Sequence, residues 1–231
     1  MILIIDRRRE DARAIATMFY YMGVLSNAVT PAEAIHKISN RYKAILITTP
    51  EKTEISDEFF KTLRAYSLGT PIYALCDNTE DFASRYPARA ELFDGLLSAR
   101  GASSTLLSRL NELLLETGKA TLGDYRLAGI NADITSGQVT FFDKPIALTK
   151  TEQMMLRYLI TMYPVQVSAK EMIAYSVKPG RCPEPSNVRT HISNLNKKFR
   201  ELTGRAWIYS DPGIGYRLLT PELVAVVNGE T

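Results

Sequence analysis

Residues 187–202 read NVRTHISNLNKKFREL and residues 207–219 read WIYSDPGIGYRLL, and these two stretches decide the fold of the C-terminal part of the chain. In the first stretch apolar residues recur every three or four positions, which predicts one amphipathic helix, and Gly204 ends it. In the second stretch strand-like segments flank the turn signal DPGIG, which predicts a β-hairpin. The apolar face of the helix consists of Val188, Ile192, Leu195, Phe199 and Leu202.

Two further helices precede this pair. The segments Thr149-Lys-Thr-Glu152 and Ser168-Ala-Lys-Glu171 both have the spacing of a helix capping box, and each leads into an apolar stripe. Between residues 125 and 148, alternating stretches are separated by turn residues, which predicts short strands. Short strands, three helices and a hairpin in this order predict a winged helix-turn-helix domain.

The N-terminal half alternates short apolar runs with segments of helical periodicity. Because such runs are typical of strands covered by helices on both faces, they predict a parallel sheet in a doubly wound (βα)5 domain. The last helical segment carries six leucines, more than one core-facing stripe requires, which favours a second apolar face for dimerisation. The predicted strands are residues 2–5, 44–47, 72–75 and 95–97, and the predicted helices include 15–22, 31–39, 59–63 and 103–116.

The segment TGKATLGD, residues 117–124, is small and polar and contains two glycines, so we expect a linker there. The predicted organisation is an α/β domain over 1–117, a linker over 118–124, an α+β winged-helix domain over 125–220 and a tail over 221–231. The net charge of the chain is confined to its C-terminal part. Residues 1–120 hold 15 basic and 15 acidic side chains, whereas residues 121–231 hold 13 and 10.

Composition excludes several classes of protein. The chain is 45% hydrophobic and 23% charged, which is typical of a globular protein. Cys76 and Cys182 lie far apart without metal-ligand spacing, so neither a disulfide framework nor a zinc site is indicated, and a reducing compartment, the cytoplasm, fits best. The apolar runs are too short for a signal peptide or a membrane span. With two histidines and no nucleophile–base pair, we expect no enzyme, metal or cofactor.

The helix at 187–202 carries most of the excess positive charge of the chain. Charge alone is equally compatible with a solvated helix face. The placement favours DNA, because basic side chains can neutralise phosphates while Asn and Ser can bond base edges, and they all lie opposite the apolar stripe. The residues of this polar face are Thr190, Ser193, Asn194, Lys197 and Arg200.

Taken together, these features resemble a known family, the OmpR/PhoB class of bacterial response regulators, and the resemblance covers nearly the whole chain. IALTKTEQMMLRYLI, residues 146–160, is similar to the family's L-T-x-x-E-x-x-L-L-x-x-L helix, and NVRTHISNLNKKF, residues 187–199, to its V-x-x-H-I-x-x-L-R-x-K-L recognition helix. GIGYRL, residues 213–218, stands where the family has the wing motif. The resemblance implies a receiver domain joined to a DNA-binding winged helix, with double-stranded DNA, a second copy and RNA polymerase as partners.

The receiver half departs from this family at the positions that carry its chemistry. Thr48 stands at the position of the phosphoacceptor aspartate, and its neighbours Thr49 and Pro50 are not acids either. Of the acidic pair that helps to hold Mg²⁺, one acid survives and the other is an arginine. The family's Thr/Ser and Lys correspond to a cysteine and a serine. The five positions of this degenerate receiver site are Asp6, Arg7, Thr48, Cys76 and Ser98.

These departures remove what aspartyl phosphorylation needs, which is a carboxylate nucleophile, a divalent ion on an acidic pair and a lysine for the product charge. Arg7 places a fixed positive charge near the metal position and could pair with Asp6, so we expect Asp6 to be structural rather than catalytic. A cysteine that ends a buried strand is weak evidence for redox sensing, because it is usually a small apolar residue.

The DNA-binding half departs as well. Ser193, Asn194 and Asn196 stand where the recognition helix often has Arg, and Pro212 replaces a frequent wing Arg, so fewer phosphate and minor-groove contacts follow. Trp207 is expected in the core and Ile214 in wing packing, and His191 could either pack or touch DNA. The candidate DNA-binding residues are Arg189, Thr190, His191, Ser193, Asn194, Lys197, Lys198, Arg200, Ser210 and Tyr216.

Two interpretations from different classes remain at this point. The first is a sequence-specific DNA-binding transcriptional regulator that acts independently of phosphorylation and dimerises through its receiver-like domain. The second is an adaptor that keeps the winged fold to bind protein and no longer binds specific DNA, and the missing arginines favour it. Salt-dependent binding to random duplex DNA distinguishes them, since a protein adaptor should lack it.

Overall fold

The structure is a computed structural model, and it describes residues 1–38, 42–48, 50, 56–67, 69–118, 122, 124–127, 129–133, 138–179 and 184–219. It divides into two compact units, Met1–Leu122 and Gly123–Thr231. The tail predicted over 221–231, Cys182, Thr49 and most of the predicted linker lie outside the described residues.

The first unit is a parallel five-stranded sheet with the strand order β2-β1-β3-β4-β5. This is one of the two common orders of doubly wound α/β domains, so the predicted (βα)5 architecture is confirmed. The strands are β1 (Ile2–Ile5), β2 (Ser26–Val29), β3 (Ala44–Ile47), β4 (Ile72–Cys76) and β5 (Gly95–Ser98), and the helices are α1 (Arg9–Tyr21), α2 (Pro31–Lys37), α3 (Asp57–Tyr66), α4 (Thr79–Arg85), α5 (Pro87–Ala90) and α6 (Ser103–Glu116).

The three central strands form the core of this unit. All residues of β1, β3 and β4 are buried, which is why they read as continuous apolar runs. Strand β2, whose sequence is SNAV, lies at the edge of the sheet and is only partly buried, and for that reason it gave no apolar run in the sequence. Helices α4 and α5 were also not predicted.

Helix α6 packs most of its leucines inside its own unit. Leu106, Leu110, Leu113 and Leu114 are buried, and Leu107 is partly exposed. Only Leu115 is an exposed large apolar side chain on this helix, with 62% of its surface accessible. The leucines that suggested a second apolar face are therefore used mainly by the core, and the helix contributes one exposed leucine to any dimer surface.

The second unit begins with a four-stranded antiparallel sheet, continues with three helices and ends in a hairpin, which confirms the winged helix-turn-helix prediction. Both predicted capping boxes are formed, at the starts of the first and second helices of the unit. The elements are β6 (Asp124–Leu127), β7 (Ile130–Asp133), β8 (Val139–Phe141), β9 (Lys144–Pro145), α7 (Lys150–Met162), α8 (Ala169–Ser176), α9 (Pro185–Thr203), β10 (Ile208–Asp211) and β11 (Gly215–Leu218).

The core of the second unit joins the sheet, α9 and the hairpin. The rings of Phe141 and Phe199 lie 5.2 Å apart between centroids, and those of Phe141 and Trp207 lie 4.6 Å apart. Trp207 is buried as predicted, whereas the prediction that Ile214 packs within the wing is wrong. Ile214 sits at the hairpin tip with 63% of its surface exposed, because no other element covers the tip among the described residues. No helix in the described ranges has the length and apolarity needed to cross a membrane.

Candidate nucleic-acid interface

Helix α9 presents one continuous polar face to solvent. Its buried stripe is formed by Val188, Ile192, Leu195 and Phe199, and Gly204 ends the helix in the left-handed conformation with φ +77°. Successive residues of an α-helix lie about 100° apart around its axis, so the buried stripe determines which residues lie on the opposite face. Every predicted member of that face is exposed, and Glu201 is the one acid beside it in the helix. The five predicted members are Thr190, Ser193, Asn194, Lys197 and Arg200, and Arg189 beside them is exposed as well.

Lys198, one of the candidate DNA-binding residues, lies on the flank of α9 that faces α7. Its Nζ donates to Oε2 of Glu152 over 2.7 Å, with the lysine side chain 30% exposed and the glutamate side chain 3% exposed. The same oxygen accepts the backbone N–H of Thr149 in the capping box of α7. Burial acts to raise the pKa of the Glu152 carboxyl, but the bonds from Lys198 and Thr149 together hold that pKa below its ordinary value.

Asn196 occupies the opposite flank and ties α9 to the hairpin. Its Oδ1 accepts the backbone N–H groups of Trp207, over 3.1 Å, and Ile208, over 2.9 Å. Its Nδ2 donates to the carbonyl of Ile208 over 2.8 Å. Asn196, which stands where the resemblance often has Arg, is therefore a buried residue that holds the hairpin against α9. His191 is partly exposed, on the same side of α9 as Lys198.

The hairpin β10–β11 is pinned to the segment that leads into α8. Val167 and Tyr216 exchange two backbone hydrogen bonds of 2.8 Å each. A Cβ atom on Gly215 would lie 2.1 Å from the carbonyl oxygen of Val167, so only glycine allows this approach. As a result the Tyr216 side chain is largely buried, whereas Ser210 on the neighbouring strand is exposed.

A cleft of about 440 Å³ lies between the hairpin and the N-terminal ends of α8 and α9. Ser186 and Arg189 of α9 contribute to one wall, Lys170 of α8 to another, and Ser210 and Ile214 to the hairpin wall. Hydroxyl groups, two cations and helix N-termini are groups that bind anions such as phosphate. The sequence did not predict this cleft, because the proximity of Lys170, Ser186 and the tip of the hairpin depends on tertiary structure.

The degenerate receiver site is assembled at the carboxyl edge of the first sheet, where β1, β3, β4 and β5 end. Asp6 is buried and accepts the backbone N–H of Arg8 over 2.8 Å and the hydroxyl of Thr48. Arg7 is exposed. The Sγ of buried Cys76 lies 3.6 Å from the carbonyl of Leu97 as a weak donor.

Ser98 and a cleft beside α4 complete this edge of the sheet. The exposed Ser98 hydroxyl donates to the carbonyl of Asp77 over 3.4 Å. Thr48 and Cys76 also line a cleft of about 320 Å³ beside α4. Within the described part of the chain, no group of three or more His, Cys, Asp or Glu side chains is placed to hold a metal ion.

Residues 143–218 match the family described as "Transcriptional regulatory protein, C terminal". These residues lie in the second unit. The match covers α7, α8, α9 and both strands of the hairpin, so the resemblance to OmpR/PhoB-class regulators is confirmed over this part of the chain. A comparison with curated proteins found no match.

Solved structures that resemble the chain include two that align with both units. One is described as "A novel family of redox sensors in the streptococci evolved from two-component response regulators", with 16% identity over 95% of this chain and 98% of that one, and a TM-score of 0.40. Another is the response regulator DrrB of Thermotoga maritima, an OmpR/PhoB homolog, with 17% identity over 94% and 98% of the chains and a TM-score of 0.39.

A third structure aligns with a smaller part of the chain. It is the DNA-binding domain of the response regulator AdeR in complex with an intercistronic region, with 23% identity over 42% of this chain and all of that one, and a TM-score of 0.38. At these identities and TM-scores none of the three indicates a function for this chain.

Proposed function

We propose that the chain is a transcriptional regulator that binds double-stranded DNA sequence-selectively by placing α9 in the major groove. The observation that carries this proposal is the exposed face of α9, which combines three cations with amide and hydroxyl side chains and adjoins the cleft beneath the hairpin. An α-helix fits the major groove of B-DNA, where base edges present a distinct donor and acceptor pattern for each base pair.

The residues of this face divide by chemistry. Arg189, Lys197 and Arg200 carry the charges that neutralise backbone phosphates, and this contribution does not depend on sequence. Ser193 and Asn194 are short, uncharged and exposed, and they lie between these cations in the sequence. An asparagine can bind adenine with two hydrogen bonds. Binding at this surface therefore combines a general electrostatic attraction with selection at a small number of base pairs.

The N-terminal unit acts in this proposal without aspartyl phosphorylation. Thr48 is a hydroxyl in place of the carboxylate nucleophile, and it bonds Asp6, whose other oxygen accepts the N–H of Arg8. Asp6 is thus buried and hydrogen-bonded within the protein. A hydroxyl cannot form an acyl phosphate, and an Arg7 side chain next to this carboxyl disfavours a divalent ion.

In this proposal the regulator is a homodimer that forms through the N-terminal unit. It acts in the cytoplasm, with RNA polymerase as its partner at the promoter. Leu115 of α6 is the exposed apolar side chain that supports a contact along this helix. Because the other leucines of α6 are largely used by the core, the dimer surface must draw on further residues of the unit.

A salt titration of binding to duplex DNA tests the DNA proposal. Lys197→Ala and Arg200→Ala should weaken binding to specific and random duplexes alike, and each should lower the slope of log affinity against log salt by roughly one. Asn194→Ala should instead reduce binding about 5- to 150-fold at one base position only. Lys144, an exposed cation of the same unit that is neither on α9 nor in the cleft, provides the control Lys144→Ala.

The second candidate function is a protein-binding adaptor. Ser193 and Asn194, exposed where the resemblance has arginine, favour it, since they leave the helix with fewer phosphate contacts. If folded Lys197, Arg200 and Asn194 variants bind DNA like the parent, or if no salt dependence is found, the adaptor replaces the regulator.

A further inference from the structure

The cleft beside α4 lies at the carboxyl edge of the parallel sheet in the first unit. Thr48 follows β3, Cys76 ends β4 and Ala99 follows β5, and all three line this cleft. In open parallel sheets, ligands bind in crevices outside this edge. The volume of about 320 Å³ is near the lower end of the range for ligand sites, roughly 300–1,000 Å³, and therefore suits a small molecule.

Part of the lining of the cleft is aromatic and apolar. Phe82 of α4 and Tyr86, one turn further on, have ring centroids 5.6 Å apart and ring planes tilted by 40°. Phe82 is buried, whereas 40% of the Tyr86 surface is exposed. Leu75 and Cys76 are buried and add apolar surface to the lining. The cleft therefore offers contacts for a flat or apolar molecule.

The charged side chains of the lining include one carboxylate without a counter-ion. Arg85 is the one lysine or arginine among the described lining residues, and its Nε binds Oδ1 of Asp81 over 2.8 Å. Asp77 is exposed, and no ion pair with it is found in the part of the chain that the structure describes. Two acids against one base leave the lining with an excess of negative charge.

Two other polar side chains of the lining are bonded within the protein. Oδ1 of Asn78 accepts the backbone N–H groups of Glu80, over 3.0 Å, and Asp81, over 3.1 Å. The hydroxyl of Thr48 donates to Asp6. A ligand that carries a charged donor therefore has the carboxylate of Asp77 as its acceptor in the cleft.

From the aromatic wall and the carboxylate together we infer that this cleft binds a small organic cation with a flat or apolar body. A cation is attracted to the face of an aromatic ring within about 6 Å of its centroid, and its hydrogen bonds to a carboxylate are stronger than those of a neutral donor. An anion would meet the negative lining and would find its one arginine already paired. The inference goes beyond the proposed function and does not depend on DNA binding.

Three probes of nearly the same shape test this inference on the full chain. Benzamidine is a cation, benzamide is neutral and benzoate is an anion, and binding is followed by the amide chemical shifts of the isotope-labelled protein. We expect benzamidine to bind with a millimolar dissociation constant and to shift the signals of residues around the cleft. Benzamide should bind about tenfold more weakly and benzoate more weakly still.

Two variants separate the charge of the cleft from its volume. Asp77→Asn keeps the shape and removes the carboxylate, so it should weaken benzamidine binding about tenfold and leave benzamide binding unchanged. Ala99→Leu fills the cleft with Asp77 in place, so it should weaken the binding of both probes. The matched control is Glu80→Gln, because Glu80 is an exposed acid three residues from Asp77 that does not line the cleft. This control should bind all three probes like the parent.

Circular dichroism checks that each variant is folded, and Asp77→Asn changes only an exposed side chain. The inference is wrong if benzamidine and benzamide bind the parent alike, or if folded Asp77→Asn keeps the preference for benzamidine. Shifts confined to residues away from the cleft, or benzamidine binding that is unchanged in folded Ala99→Leu, also overturn it, because they indicate a general attraction to acidic surface. None of these measurements involves DNA, so their failure is distinct from a failure of the proposed function.

Discussion

Lys197 and Lys198 are neighbours in the sequence, and the structure predicts opposite consequences when each is replaced by alanine. Lys198→Ala removes the cation from the Glu152 carboxylate, which is 3% exposed and keeps its bond from the Thr149 N–H. Lys197→Ala removes an exposed side chain for which no ion pair is found in the described residues. We expect Lys198→Ala to destabilise the C-terminal unit with little change in the salt slope of DNA binding, and Lys197→Ala to do the reverse.

The size of the effect follows from the burial of the pair. A hydrogen bond to a charged group contributes about 1.5–3 kcal/mol, and leaving a fully buried charge unpaired costs about 3–5 kcal/mol. Lys198 is 30% exposed and Glu152 retains one backbone donor, which places the loss near the lower range, at about 2 kcal/mol. For a unit of this size that lowers Tm by roughly 8–16 °C. Lys197→Ala should change stability by less than about 0.5 kcal/mol.

The fluorescence of Trp207 provides the assay. It is the single tryptophan of the chain and it is 4% exposed in the core of the C-terminal unit, so its signal follows this unit and not the other. Thermal unfolding of both variants is compared with the parent at pH 7. A Lys198→Ala variant that keeps the parent's Tm but loses salt-dependent DNA affinity would refute the placement of Lys198 against α7.

Acidification provides a second check on the same pair. The pKa of Glu152 in the folded unit is below its ordinary value of 4.5, so the unfolded chain binds the proton more readily. The stabilisation by this carboxylate is therefore complete above pH 4.5 and is lost as the pH falls through the lowered value. The difference in Tm between the parent and Lys198→Ala should be largest near pH 7 and should narrow below about pH 4.5.

Three further predictions concern other parts of the molecule. Asn196→Ala removes both acceptor bonds to the hairpin N–H groups and should destabilise the unit by about 2–4 kcal/mol, whereas exposed Asn194→Ala should change stability by less than about 0.5 kcal/mol, both read from Trp207 fluorescence. Incubation with acetyl phosphate and Mg²⁺ should leave the intact mass unchanged, and a phosphoryl group that is gained by the parent but lost in Thr48→Ala contradicts this. Sedimentation velocity at micromolar concentration should show a dimer of the full chain without a phosphodonor, and a monomer both alone and on DNA would move dimerisation elsewhere.

Much of the fold could be predicted because its signals are local. The capping boxes at Thr149 and Ser168, the apolar stripe of α9 and the apolar runs of β1, β3 and β4 depend on periodicity and short-range hydrogen bonding. Strand β2 and helix α4 lack such signals. The first is an edge strand of mixed polarity, and the second is a seven-residue helix in which only Phe82 is buried, so neither has an apolar run or stripe.

The sequence predicts the face of α9 that lies opposite its apolar stripe, but not what packs against the two flanks of the helix. The apolar stripe of α9 fixes the face opposite to it, and all five residues predicted for that face are exposed. The two flanks depend on what packs beside the helix, which for Lys198 is α7 and for Asn196 is the hairpin. The spacing of residues within α9 contains no information on these neighbours, so it could not predict that Lys198 pairs with Glu152 or that Asn196 binds the backbone of the hairpin.

The altered positions of the receiver site are connected by one electrostatic argument. A carboxylate at position 48 would lie against buried Asp6, and two adjacent carboxylates require a cation to neutralise them. A threonine there donates its hydroxyl to Asp6, and with the N–H of Arg8 the single charge is satisfied by the protein itself. A divalent ion then has only one buried acid to bind, so a second acid at position 7 and a lysine at position 98 have no charge to balance. Arg7 and Ser98 are both exposed side chains. In the proposed function the loss of the acceptor, of the metal and of the lysine is therefore a single physical change.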